Sequence, residues 1–239
     1  MGSDAGATVG RGPRLTSFES GLSARFRGKR DEALRALIVR RAAAKGAGPF
    51  RILDLGGRFD YWERLGLGFL DAHDITVLCV NYSVEEMNAN RHVSPRLSAV
   101  VGNACDMAGH ADGSFDLVHS NSVIEHVGRF ADMQAFARET RRLAPAYYVQ
   151  TPYAGFPIDP HWPRMPFFHW LPWWWRAKIL KRFKIGWGRP SGDLAHAMRD
   201  LESAVLLDRS QFRYLFPDAR HRFEWLLFLP KSMIAEREA

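Results

Sequence analysis

Apolar positions along the chain fall into short, nearly continuous runs set between stretches of helical periodicity. The runs are Phe50 to Leu55, Ile75 to Val80, Leu97 to Val101, Phe115 to Ser120 and Ala146 to Gln150. Runs of this length without polar alternation predict strands buried on both faces, as in a parallel sheet. Residues 31–46 place Leu34, Leu37, Ile38 and Ala42 on one side of a helix that Gly46-Ala47-Gly48-Pro49 ends. Further helices are expected from about Tyr61 to Ala72, from a Ser83 cap to about Arg91, and over Phe130 to Leu143. Strict alternation of this kind predicts an α/β fold, a mostly parallel sheet with helices on both faces.

After Thr151-Pro152 the alternation fails, and residues 153–203 are rich in Pro, Trp and His. A short helix at Ser210 to Phe216 follows. Arg220 to Leu229 and Lys231 to Ala235, parted by Pro230, then predict a closing antiparallel hairpin. The expectation is a Rossmann-like sheet of seven strands with an aromatic-rich insertion after the fifth. Residues 1–30 read as a flexible tail. Residues 31–239 read as one domain, in which 153–203 form an insertion or lid on the acceptor side.

Composition narrows the class. With 239 residues, 46% of them apolar, the chain can bury one substantial core. Its two cysteines, Cys79 and Cys105, argue against a disulfide framework and for a reducing, cytoplasmic setting. No apolar stretch reaches membrane-spanning length. The net charge of +7 is local: residues 1–48 hold ten basic residues against four acidic, and residues 172–190 hold six against none. Both segments are candidates for anionic partners or surfaces.

Candidate chemistry lies at the carboxyl ends of the strands, where open parallel sheets bind ligands. Asp54 and Gly56 follow the first strand, Asn81 the second, Asn103 the third, and Ser120 and Asn121 the fourth. The loop Gly56-Gly57-Arg58-Phe59-Asp60-Tyr61 lacks the Gly-x-Gly-x-x-Gly that cradles a pyrophosphate. An adenosyl ligand without phosphates has less need of it. Together, Arg51 to Gly57 and Phe115 to Val127 resemble the cofactor half of class I S-adenosylmethionine-dependent methyltransferases.

That resemblance covers residues 48–152 and, more loosely, the hairpin. It implies S-adenosyl-L-methionine as cofactor. It also implies that Asp54, Gly56 and Gly57 wrap the methionine part, that Asn81 meets the ribose, and that Asn103 and Ala104 frame the adenine. Ser120, Asn121 and Ser122 would lie beside the sulfonium, with Glu125-His126 just beyond. Asn81 and Asn103 stand where acids are usual; an amide oxygen still accepts a hydrogen bond. The insertion, from Thr151-Pro152-Tyr153 through His161 to Pro172, is similar to bacterial type 11 methyltransferases associated with glycan or secondary-metabolite pathways.

Transfer from a sulfonium needs alignment and exclusion of water more than activation. If the acceptor is a hydroxyl, a His near the ligand edge serves as base. His126 and His161 are the candidates, with Asp159 placed to orient His161 or to act alone. Paired cysteines and His-x-x-x-His are missing, so no metal is expected. The acceptor is read as a small molecule, a sugar or a lipid-linked intermediate. Six of the eight tryptophans lie between Trp162 and Trp187. This segment reads first as a lid with its aromatics packed inward, and second as a peripheral membrane contact through residues 170–184. A pI near 9.7 keeps a nucleic-acid methyltransferase as an alternative. No tetrad for flipped bases supports it, and nucleic acid is the weaker partner. A non-catalytic Rossmann-like scaffold is the third reading.

Overall fold

A computed structural model describes residues 17–87, 94–186 and 190–238, with side chains from residue 27 on. Seven strands form one sheet: β1 (Phe50–Leu55), β2 (Ile75–Asn81), β3 (Leu97–Val101), β4 (Leu117–Asn121), β5 (Ala146–Pro152), β6 (Arg220–Leu226) and β7 (Leu229–Arg237). Their order is β3-β2-β1-β4-β5-β7-β6, the first five parallel and β7 antiparallel to both neighbours. This is the expected Rossmann-like architecture with its closing hairpin. Strand order reverses between β1 and β4, so the ligand-binding crevice belongs at the carboxyl ends of that pair.

Successive side chains of a strand point to opposite faces, and the two faces are covered by different helices. Leu53 and Leu55 of β1, Val118 of β4 and Tyr147 and Val149 of β5 pack with Met133 and Phe136 of α3 (Phe130–Leu143) and Phe212 of α6 (Arg209–Leu215). Ile52, Leu117 and Tyr148 face the other way. They meet Leu34, Leu37 and Ile38 of α1 (Ser17–Lys45) and Trp62 and Leu65 of α2 (Phe59–Ala72). A reciprocal cap starts α6: Asp208 Oδ1 accepts from the Gln211 amide at 2.8 Å, and Gln211 Oε1 accepts from the Asp208 amide at 2.9 Å.

Several boundaries differ from expectation. Helix α1 reaches back to Ser17, within the stretch expected to be tail; residues 1–16 lie outside the described residues. The turn that parts β6 from β7 is Leu227-Phe228, and Pro230 lies inside β7 opposite Trp225, next to a register shift. Pairing of β7 with β5 ends at Ser232, so the missing Pro230 N–H removes no bond from that ladder. After Ser83, whose Oγ accepts from the Glu86 amide at 3.1 Å, residues 84–87 form a turn, and 88–93 lie outside the described residues.

Residues 26–156 with 203–239 make one compact unit, and residues 157–202 belong to a second. The second unit contains α4 (Trp173–Arg182) and α5 (Leu194–Glu202), closed over Phe168, Ala177, Leu180, Ile185, Ala197 and Leu201. Arg176 points inward, over the rings of Phe168 and Trp173. Trp173, Trp174 and Trp175 are 43, 56 and 49% exposed. Trp187 lies outside the described residues. No helix among the described residues is long and apolar enough to cross a membrane.

The hairpin turn carries a strain that can be removed. Leu227 has φ of +55° and is 84% exposed, so it occupies the left-handed region with almost no packing in return. Leu227→Asn, a residue that tolerates this region, is expected to raise unfolding stability by about 1 kcal/mol. The check is a shift of the urea midpoint at unchanged slope; a fall in midpoint would show that the Leu227 side chain stabilises the hairpin.

Candidate functional site

A glycine turn leads out of β1. Gly56 has φ of +73°, donates its amide to Val80 O at 2.8 Å, and leaves no space for a side chain. A Cβ there would stand 2.2 Å from Val123 Cγ2, and one on Gly57 would stand 2.7 Å from Asp54 Cγ. These two positions therefore require glycine for close approach, and Gly56 also for its backbone angle.

Around this turn lies a shallow recess at the carboxyl ends of the strands. Its polar lining is Gly56, Asn81, Tyr82 and His126, and its apolar lining includes Val80, Ala104, Val123 and Val127. No Lys or Arg among the described residues lines it. Of the residues expected to hold the cofactor, Gly56, Asn81 and Ala104 line this recess, as does His126. Asn81 Oδ1 accepts from the Tyr82 amide at 2.9 Å, and Asn103 Oδ1 from the Cys105 amide at 2.9 Å. An amide oxygen has two lone pairs, so each retains acceptor capacity.

Ser120, Asn121 and Ser122 each make a hydrogen bond within the fold. Ser120 is fully buried and donates to Leu55 O at 2.9 Å, tying β4 to β1. Ser122, at φ of +57°, donates to Gln150 Oε1 at 3.0 Å. Asn121 Oδ1 accepts from Arg30 Nη1 of α1 at 2.8 Å.

Asp54 faces the α1–α2 side of the sheet. Its Oδ2 accepts from Trp62 Nε1–H at 2.7 Å, and its Oδ1 lies 2.7 Å from Nδ1 of His119, its register partner on β4. Both oxygens are thus engaged in a 3% exposed position. The His119 ring is flanked by Tyr61 at 4.9 Å and Tyr148 at 6.1 Å. Burial, then the carboxylates of Asp31 and Asp54, hold the Tyr61 hydroxyl well above its ordinary pKa. Sequence reading missed this cluster. Its signal was the register of two buried strands: an acid on one and a His on the next, on the same face.

His126 follows Glu125, which is buried and accepts from Thr151 Oγ1 at 2.9 Å. The Nδ1 of His126 lies 2.7 Å from Ser203 O. A carbonyl can only accept, so that nitrogen carries the proton and the basic lone pair of the neutral ring is on Nε2. In the second unit, His161 Nδ1 lies 2.6 Å from Asp159 Oδ1, which also accepts from the His161 amide at 2.9 Å. Asp159 is 2% exposed. This contact fixes the ring and, in the neutral imidazole, leaves the lone pair on Nε2.

The geometry around Asp54 makes it a stability determinant. Asp54→Ala leaves the Trp62 N–H and the His119 ring without their buried acceptor, a change expected to cost about 3 kcal/mol or more. For a chain of this size that is roughly a 10 °C fall in melting temperature. A thermal melt within 2 °C of wild type, on the order of 1 kcal/mol or less, would show that the cluster does not hold the fold.

Residues 63–145, about a third of the chain, match a methyltransferase domain family. No curated protein matches the sequence. Among solved structures, the magnesium protoporphyrin IX methyltransferase of Synechocystis PCC 6803 with bound S-adenosylhomocysteine aligns with a TM-score of 0.52 at 12% identity, over 95% of this chain and 90% of that one. A protein of Bordetella parapertussis described as a possible exported protein aligns with a TM-score of 0.52 at 14% identity, over 88% and 68%. A complex between the Haloferax volcanii Trm112 methyltransferase activator and a methyltransferase aligns with a TM-score of 0.49 at 16% identity, over 94% and 98%. At these identities the first two structures show the fold alone, and the methyltransferase domain match covers residues 63–145. A methyltransferase domain set in this seven-stranded sheet makes the chain an S-adenosylmethionine-dependent enzyme.

Proposed function

We propose that the protein methylates a hydroxyl of a small molecule, a sugar or a lipid-linked intermediate, with His126 as general base. The observation that carries this reading is the position of His126 on the recess, with its tautomer set by the Ser203 carbonyl. The recess suits an adenosyl sulfonium. Its valines and Ala104 offer apolar flanks, Asn81 a polar edge, Gly56 a backbone without Cβ, and no Lys or Arg among the described residues opposes a cation. When bound, S-adenosylmethionine supplies an activated methyl group.

The chain's own residues then align the acceptor, exclude water, and take its proton on Nε2 of His126. His161, held by Asp159, is the second candidate for that proton. Pathway context in glycan or secondary-metabolite synthesis rests on the resemblance of the insertion alone.

The exposed tryptophans favour a lipid-linked acceptor among these classes. Trp174, Lys178 and Lys181 follow at helical spacing on the outer face of α4, with Lys178 Nζ 5.1 Å from the Trp174 ring centre. Rings flanked by cations suit the headgroup layer of an anionic bilayer, where each basic group near the surface contributes about 1 kcal/mol. Sedimentation with anionic vesicles, lost in high salt and in Trp174→Ala with Lys178→Ala, is the expected result. Equal recovery with neutral and anionic vesicles would remove the lipid from the proposal.

Calorimetry tests the cofactor site. S-adenosylhomocysteine is expected to bind in the micromolar range, about −8 kcal/mol. Gly56→Ala, which drives a methyl into Val123, should weaken binding tenfold or more in a folded protein. No heat with wild type would overturn the reading. Against an identified acceptor, His126→Ala should lower kcat by about 10²- to 10⁴-fold at unchanged S-adenosylhomocysteine affinity. Turnover within threefold of wild type, on the order of a contact effect, would pass the role of base to another group.

A further inference from the structure

A second cavity, of about 240 Å³, opens between α1 and β6 and is lined by Lys29, Arg30, Arg222, Phe223, Glu224 and Trp225. We infer that it is the subsite for an anionic group, a carboxylate or phosphate, on the acceptor.

Its place follows from strand register. Glu224 pairs with Ser232, Ser232 with Pro152, and Gln150, two residues earlier on β5, with Asn121 of β4. The cavity therefore sits at the carboxyl edge of the sheet. Arg30 joins it to that edge directly: Nη1 donates to Asn121 Oδ1 at 2.8 Å while Nε lies 3.3 Å from Glu224 Oε1. By resemblance Asn121 stands beside the methyl donor, so an acceptor anchored here would reach the reacting end.

The charge balance favours an anion. Three cations line the cavity against one carboxylate, and that carboxylate is already engaged by Arg30 and the Ser232 hydroxyl. Arg222 Nη2 lies 3.0 Å from Glu236 and 5.6 Å separates its guanidinium from the Tyr148 ring centre, an arrangement that holds the fork still while leaving further N–H donors. Lys29 is exposed and forms no ion pair among the described residues. Behind the wall, burial and then the charge of Arg30 lower the Lys231 ammonium pKa, and Arg27 adds to that field. Phe223 and Trp225 line it as the residues that alternate with Arg222 and Glu224 along β6, and their rings meet each other 5.9 Å apart between centres. A neutral or cationic acceptor would gain nothing from this set, and a guanidinium fork matches carboxylate or phosphate oxygens.

Calling the ligand an acceptor rests on the methyltransferase reading, so the test keeps the two apart. Benzoate, phenyl phosphate and benzyl alcohol are titrated into the full chain with saturating S-adenosylhomocysteine, followed by ligand-observed NMR, with cofactor-product affinity measured on the same samples. Both anions, or one of them, should bind at least tenfold more tightly than the alcohol, and the comparison tells phosphate from carboxylate. Lys29→Glu, on an exposed position that leaves the fold intact, should remove tenfold or more of that affinity; Arg222→Gln should do the same. Neither should alter S-adenosylhomocysteine binding. Anions that bind no better than the alcohol, or equally to Lys29→Glu and wild type, overturn the subsite while leaving the methyltransferase reading in place. Anion binding without any cofactor-product binding overturns that reading and leaves the cavity an anion site.

Discussion

The buried carboxylate of Asp54 is the constraint on which the ligand edge depends. It bonds to Trp62 of α2 and to His119 of β4, and so joins three elements around the reversal in strand order. With both oxygens occupied, β1, β4 and α2 have one relative position, and the glycine turn between β1 and α2 is held against Val123. A buried carboxylate without hydrogen bonds is costly, and here both oxygens have a partner. The motif acid thus supports the glycine turn from the α2 side of the sheet.

Much of this was legible in the sequence because a parallel sheet writes itself as apolar runs. The five parallel strands and the helix over Phe130 to Leu143 needed little beyond periodicity. The hairpin was legible, but its turn was not. Leu227-Phe228 contains none of Gly, Asn, Asp or Pro, and the conspicuous Pro230 sits where the β5 ladder has already ended. Helix α1 from Ser17 to Gly28 mixes Gly, Ser and Arg without a clean stripe, so its composition reads as tail.

The site divides in the same way. Gly56, Asn81 and Ala104 are found at the recess because position at a strand end is enough to place them. Ser120, Ser122 and Asn121 are at strand ends too, but side-chain direction and partners, which order along the chain does not encode, assign them to Leu55, Gln150 and Arg30. The reach of Arg30 across ninety-one positions to Asn121 is a tertiary fact. It was foreshadowed only by the basic excess of residues 1–48.

That excess gains a physical meaning at the sheet edge. No Lys or Arg among the described residues lines the recess around Gly56, whereas the cavity beside β6 has three cations against one acid. A positively charged methyl donor and a negatively charged acceptor would be sorted to different ends of one edge by sign alone. The asparagines at positions 81 and 103 fit this division. Their amide oxygens accept hydrogen bonds as acids do, but add no negative charge beside the path of an anion. A carboxylate at either position would bind a hydroxyl at least as well, yet would repel an anionic acceptor.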